Sequence, residues 1–392
     1  MPHLIVRPFE TASLDRLVAE GELCTFRGME EGHSVELLGV RYEGEPFVLE
    51  IKRRSEDLLI RPDKISRPLD VGRIKRALGA LAEAAGLEIL HSNIEHRAGK
   101  PPLAEEADKK IRDFESIETF PREKVALEVG FGSGRHLLWQ AERHPETLFI
   151  GVEIHTPSAQ QVLRQIRLRR LQNVWVLNYD ARLLLEMLLS NRLETIYVHF
   201  PVPWDKKPHR RVISDAFVQE ALRALRPGGI LELRTDSENY YRYALEVFSR
   251  PVKSEFLVEK NRELEVVSKY EARWRKMEKN IYTLSLKAFQ ESPPLSLEGD
   301  FDLQALESWE QIASLPKKPL VQEGHFVHFG HRYRFADGSG GIAECSFGSF
   351  DRPEHKYLLW REGEGIGYFP DLPVRSATNL KAHQTIGATL HG

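Results

Sequence analysis

The sequence predicts an α/β protein: a mostly parallel sheet clothed by helices, with a small β-rich unit on either side. Three observations lead there. Between residues 121 and 290, short apolar runs alternate with helix-spaced segments, the pattern of strands buried on both faces of a parallel sheet. The first of these runs opens into a glycine-rich stretch, LEVGFGSGRH, as at the strand-to-helix turn of ligand-binding α/β domains. Toward both ends of the chain, residues alternate about Glu-Gly and Asp-Gly pairs, which signals hairpins.

The elements follow in order. In residues 1–118, VELLGVRYEGEPFVLEIKRR reads as two strands joined at Glu-Gly, and VGRIKRALGALAEAAGL has helical spacing. A polar linker with paired prolines, GKPPLAEEADKKIRDFESIETF, closes this unit. Residues 119–290 form the α/β domain. Its expected strands are VALEVG (125–130), LFIGVEI (148–154), VWVLNYD (174–180), TIYVHF (195–200) and ILELRT (230–235). Helices are expected after Gly134 and over 157–171, 182–189 and 214–225, with KNIYTLSLKAF as an edge strand. Residues 291–320 read as a second linker, and 321–392 as a C-terminal β unit turning at ADGSGG.

Bulk properties narrow the function. The chain has 392 residues, 41% hydrophobic and 29% charged, with a net charge of −3. That composition buries a core, and it excludes a chain that is basic throughout. Any nucleic-acid site must be a local patch. Cys24 and Cys345 stand far apart, so neither a disulfide framework nor a zinc site is expected, and a reducing cytoplasm fits. His325, His328 and His331 alternate too loosely for a metal site. No secretory leader or membrane span is expected.

The chemistry starts at the glycine turn. Gly130, Gly132 and Gly134 have G-x-G-x-G spacing rather than the G-x-G-x-x-G of dinucleotide binding. Such a turn lets the backbone approach a ligand, but it also serves as a plain βα connection. Glu153 ends the second strand, where an acid accepts from ribose hydroxyls. Asp180 ends the third, where one accepts from an adenine amino group, and Glu128 inside the first favours a cation. Each acid alone also reads as a helix cap or a solvated strand end. Together beside the turn they point to an adenosine carrying a sulfonium, S-adenosyl-L-methionine. The fourth strand ends in Pro201-Val202-Pro203-Trp204, a stiff segment that should face the donor. Trp204 offers either a stacking face for a base or ordinary packing.

At these residues the chain resembles the bacterial tRNA (guanine-N7-)-methyltransferases. LEVGFGSG, IGVEIH, NYDA, FPVPWDKKPHRR, LRTD and SKYEARW stand in that order over about residues 115–290. The resemblance implies a Rossmann-like class I methyltransferase domain. It implies cofactor-binding roles for Glu128, Glu153 and Asp180, with Val202 at the position beside them. It implies substrate contacts from Trp204, Lys206, His209, Arg211, Asp236, Ser268, Lys269, Tyr270 and Glu271, and catalysis by Asp236 and Glu271. One departure is Val202, where the family usually has Asp. That departure motivates a second reading, an RNA-binding protein that keeps the fold without turnover. The implied partner is tRNA, with no metal and no membrane.

Between residues 160 and 215 ten Lys and Arg face five Asp and Glu, an excess of five positive charges in a chain that is negative overall. Such a patch suits phosphates, although Arg164–Arg170 also fit a solvated helix face. HFVHFGHRYRF mixes aromatic and basic residues, a composition suited to RNA or to a sheet with a polar outer face.

Overall fold

Residues 124–287 fold as the apolar rhythm requires. The computed structural model describes all residues except 69, 96–100, 116–119 and 267–268, and all their side chains except those of 112, 115, 269, 270, 272 and 275. The strands are β1 (Lys124–Val129), β2 (Thr147–Val152), β3 (Val174–Leu177), β4 (Leu193–His199), β5 (Leu225–Thr235), β6 (Glu255–Lys260) and β7 (Tyr282–Lys287). The helices are α1 (Arg135–Arg143), α2 (Thr156–Arg169), α3 (Ala181–Met187), α4 (Asp215–Ala224), α5 (Glu238–Phe248) and α6 (Lys269–Lys276). Leu127, Ile150, Ile196, Val198, Leu231 and Leu233 are fully buried in one core, as strands covered on both faces must be.

The strands are ordered β6-β7-β5-β4-β1-β2-β3, and the short strand Asp108–Lys109 pairs with β3 at the far edge. β1 to β5 run parallel. β7 is antiparallel to both β5 and β6. The expected edge strand is therefore an interior one. The edge belongs to β6, EFLVEK, whose charged, mostly exposed residues protect it from further pairing.

Helix starts follow local chemistry. Ser214 and Ser237 cap α4 and α5 by accepting from the amides of Phe217 and Tyr240, each at 3.2 Å. Pro157 sits in the first turn of α2, where its missing N–H is no loss.

This α/β unit comprises residues 101–298 and 374–376; residues 1–100, 299–373 and 377–392 form a second compact unit. Here the expectation of two separate small β units is corrected. The flanks share one antiparallel sheet of eleven described strands. They join where Cys24–Met29 pairs with His325–Phe335, Gly28 opposite Phe335 and Met29 opposite Arg334. Phe26 stacks on Phe335 at 4.7 Å, and the Tyr357 hydroxyl donates to the buried Asp63 carboxylate at 2.8 Å. Each flank alone would leave an open strand edge; pairing them removes it. The helix expected near residues 71–87 is present as Val71–Ala84, whereas Ala377–Leu390 is a helix the sequence reading did not anticipate. No helix among the described residues is long and apolar enough to cross a membrane.

A candidate active site at the carboxyl edge of the sheet

β1 and β4 are neighbours and run the same way, with Glu128 opposite Tyr197 and Val129 opposite Val198. The glycine turn after β1 and the Pro201–Trp204 segment after β4 therefore leave the sheet at the same edge. From β1 the chain steps to β2 and β3 on one side, then crosses back to β4 on the other. Ligands of open α/β sheets bind at such a reversal.

Gly130, Gly132 and Gly134 have φ of 69°, 54° and 69°, a region open to glycine at little cost. They serve two purposes. A Cβ at Gly130 or Gly132 would meet nothing within 4 Å, so this part of the turn lies beside open space. A Cβ at Gly134 would lie 2.3 Å from Val162 Cγ2, so this glycine lets α1 pack close to α2.

The three acids are held in different ways. Glu153 is buried, and its two oxygens accept the amides of Gly132 (2.9 Å) and His155 (2.8 Å). It braces the glycine turn. Asp180 caps α3 by accepting from the Arg182 amide at 2.9 Å, and pairs with the Arg182 guanidinium at 2.6 Å. The helix-cap reading therefore holds for it, whereas β3 itself ends earlier, at Leu177. Glu128 is buried, with Oε2 2.8 Å from His136 Nδ1 on α1.

His136 belongs to a polar cluster for which the sequence offers no signal. Its ring lies 4.6 Å from that of His199 and 4.8 Å from that of Tyr197. His199 Nε2 is 2.7 Å from Glu232 Oε1, and Arg262 reaches the other Glu232 oxygen at 3.5 Å. Burial pushes the His136 pKa down, but Glu128 and Glu232 outweigh it and leave it raised. Burial dominates at His199 and lowers its pKa. Burial works against ionised Glu232, yet His199, Arg234 and Arg262 hold its pKa below the usual range. The neighbouring carboxylates thus favour the protonated form of His136, whereas burial favours the neutral form of His199 beside Glu232. Isolated histidines on a strand and a helix carry no spacing motif, so only the fold brings them together.

A second buried pair lies at the carboxyl end of β5, level with His199 on β4. Arg234 donates to Glu271 Oε1 at 2.7 Å and to Thr283 Oγ1 at 2.8 Å, with both charged side chains at most 1% exposed. Glu271, expected to be catalytic, is here tied to Arg234 and fixes α6 against β5. The other expected acid, Asp236, is partly exposed and accepts from Lys279 Nζ at 2.9 Å; Lys279 lies over the Trp274 ring at 3.9 Å. Ser268 lies outside the described residues. Lys269 and Tyr270 open α6.

The segment after β4 is bracketed by two non-glycine residues at positive φ, Phe200 (53°) and Trp204 (47°). Each is a strained state that the surroundings must hold. Arg211 does much of that holding. It is buried, donates from Nε to the Pro203 carbonyl at 2.8 Å, and lies over the Tyr240 and Tyr243 rings. Arg211, expected as a substrate contact, is thus enclosed here by two aromatic rings and a carbonyl. Val202, Trp204, Lys206, Lys207, His209 and Arg210 are exposed on the turn, and Arg210 lies over Trp204 at 5.2 Å. Elsewhere the excess of positive charge is partly consumed internally: Arg169 pairs with Glu142, and Arg167 donates to the Leu103 carbonyl.

Residues 122–284 match the family model described as "Putative methyltransferase". The chain is 44% identical over 361 residues to a protein of Wolinella succinogenes named "tRNA (guanine-N(7)-)-methyltransferase", covering 90% of each. Proteins of the same name from Helicobacter pylori and Campylobacter jejuni are each 35% identical, over 393 and 364 residues. These cover 98% and 91% of this chain, and 95% and 91% of the relatives. The likeness therefore extends beyond residues 115–290 into both flanks.

Proposed function

The chain belongs to the tRNA (guanine-N(7)-)-methyltransferases, and from that premise we propose that it methylates N7 of a guanine in tRNA, in the variable loop, on a Rossmann-like class I methyltransferase domain. One observation carries the reading. The open glycine turn and the Pro201–Trp204 segment emerge together from the carboxyl ends of adjacent parallel strands, where the strand order reverses.

The residues present fit S-adenosylmethionine: Gly130 and Gly132 adjoin open space, and Glu128, Glu153 and Asp180 line the strand ends. When bound, it supplies an electrophilic methyl group on a sulfonium. The chain's own work is alignment. Guanine N7 carries an in-plane lone pair and no proton, so no general base is needed. Holding N7 in line with the methyl group is worth several kcal/mol through proximity alone. Positive charge passes to the purine as transfer proceeds, and Asp236 is the partly exposed acid available to stabilise it. Glu271 acts one step away, through Arg234, by fixing α6. Trp204 gives a stacking face for a base drawn out of the tRNA fold, and Lys206, Lys207, His209 and Arg210 meet phosphates.

The test is incubation with labelled S-adenosylmethionine and unmodified tRNA, followed by borohydride–aniline cleavage, which cuts at 7-methylguanine. Cleavage at one variable-loop guanine is expected. Binding of both ligands without label transfer would favour the non-catalytic reading that Val202 raises.

A further inference from the structure

The unit built from the two flanks contains a cluster that the methyl-transfer reading does not use. Glu30 directly follows the strand Cys24–Met29, and His33 stands in the tight turn after it, beside Gly32 at φ 77°. Some three hundred residues later, His331 lies in the strand His325–Phe335 at an irregularity, where the register shifts between Phe329 and Arg332. Such bulges re-aim a side chain and recur at functional positions. The His33 and His331 rings stack with centroids 4.1 Å apart. Glu30 Oε2 lies 2.6 Å from His331 Nδ1 and 3.8 Å from His33 Nδ1.

One donor atom from each of these three residues lies within 4.8 Å of the other two. The Tyr333 hydroxyl is 3.3 Å from His33 Nδ1 and helps orient that ring. Across the bulge, Glu344 Oε2 accepts the His331 amide at 3.4 Å. All three side chains are partly accessible, which leaves an entry path and room for a water as fourth ligand.

We propose that Glu30, His33 and His331 bind a divalent first-row transition ion of the zinc class, clamping the N-terminal turn to the C-terminal strand. Two imidazoles and a carboxylate are borderline donors that suit zinc, which such ligands hold at about 2.0–2.2 Å with a water completing a tetrahedral set. The hydrogen bond between His331 and Glu30 uses the lone pairs an ion would use. Ion binding therefore replaces that hydrogen bond.

The experiment is calorimetric titration of chelator-treated full-length protein with zinc chloride alone, with thermal melts in parallel. One ion per chain and a raised melting midpoint, reversed by chelator, are expected. His331→Ala and Glu30→Gln should each weaken binding by more than the roughly 10–100-fold that loss of an outer-shell partner brings, and neither should gain thermal stability when zinc is added. His33→Asn checks the third ligand independently should one of those variants misfold. No heat of binding in wild type, or binding that persists in folded His33→Asn and His331→Ala, would overturn the proposal.

Discussion

At the scale of single residues, enclosed charges and exposed ones make opposite predictions. Arg234 and Glu271 are enclosed together, and removing one partner of such a pair leaves an uncompensated charge. Glu271→Ala should lower unfolding free energy by about 3–5 kcal/mol in urea titrations. A loss under about 1 kcal/mol would mean the pair is more hydrated than its burial implies. Val202 is 60% exposed and makes no comparable bond. Val202→Asp should change stability by no more than about 0.5 kcal/mol. Because transfer to N7 needs no base at that position, the wild type should already turn over; an inactive wild type rescued by Val202→Asp would refute this account. Lys206 and Lys207 have no described ion pair and stand clear on the turn. Alanine at either should weaken tRNA binding and reduce its salt slope by about one, whereas Arg211→Ala should act through the shape of the loop and leave that slope unchanged.

At the scale of elements, the glycine turn divides into a ligand half and a packing half. Gly130→Ala meets no neighbour, so its stability loss is limited to about 1 kcal/mol for the left-handed backbone. Its new methyl group would enter the open space, and the KM for S-adenosylmethionine should rise while the KM for tRNA holds. Gly134→Ala should do the reverse. It pushes a methyl group to 2.3 Å from Val162 and forces α1 off α2, costing roughly 1–3 kcal/mol in unfolding experiments with a smaller effect on cofactor KM among molecules that remain folded. Equal effects on both readouts in the two variants would contradict the division.

At the scale of the whole molecule, the buried cluster of β1, α1, β4 and β5 links stability to pH in two directions. The His136 pKa is raised in the folded state, so its contribution is fully present below about 6.5 and is lost as pH rises through the higher folded value. The His199 pKa is lowered, so the unfolded chain takes up the extra proton and stability falls as pH drops below about 6.5. Glu232 adds stability above about 4.5 that is lost as pH falls through its lowered folded value. The two histidines partly cancel near neutrality. Denaturant midpoints measured across that range should expose each alone: His136→Gln should make stability fall with acidification, and His199→Gln should make it fall with rising pH. Parallel profiles for both variants would show that the cluster is not coupled to folding.

How much of this was legible in the residues varies with the range of the interaction. The five parallel strands and the glycine turn could be read because periodicity and strand-to-helix turns are settled over a few neighbouring residues. The motif order from Gly130 to Glu271 could be read only through its resemblance to a known family. The partners of those residues could not. Nothing near Glu271 indicates that Arg234 encloses it, nothing near Arg211 foretells Tyr240 and Tyr243, and nothing near His136 points to His199. The flanks repeat the lesson at larger separation: each half displays its own hairpins, but the pairing of Gly28 with Phe335, and the meeting of His33 with His331, arise only when distant edges close on one another. The sequence by itself determined the five parallel strands of the α/β unit and the glycine turn that follows the first of them. Only the tertiary structure decided which charges are enclosed, which stay open to a polyanion, and that the two ends of the chain form one sheet, because burial and long-range pairing depend on segments that local residue patterns do not encode.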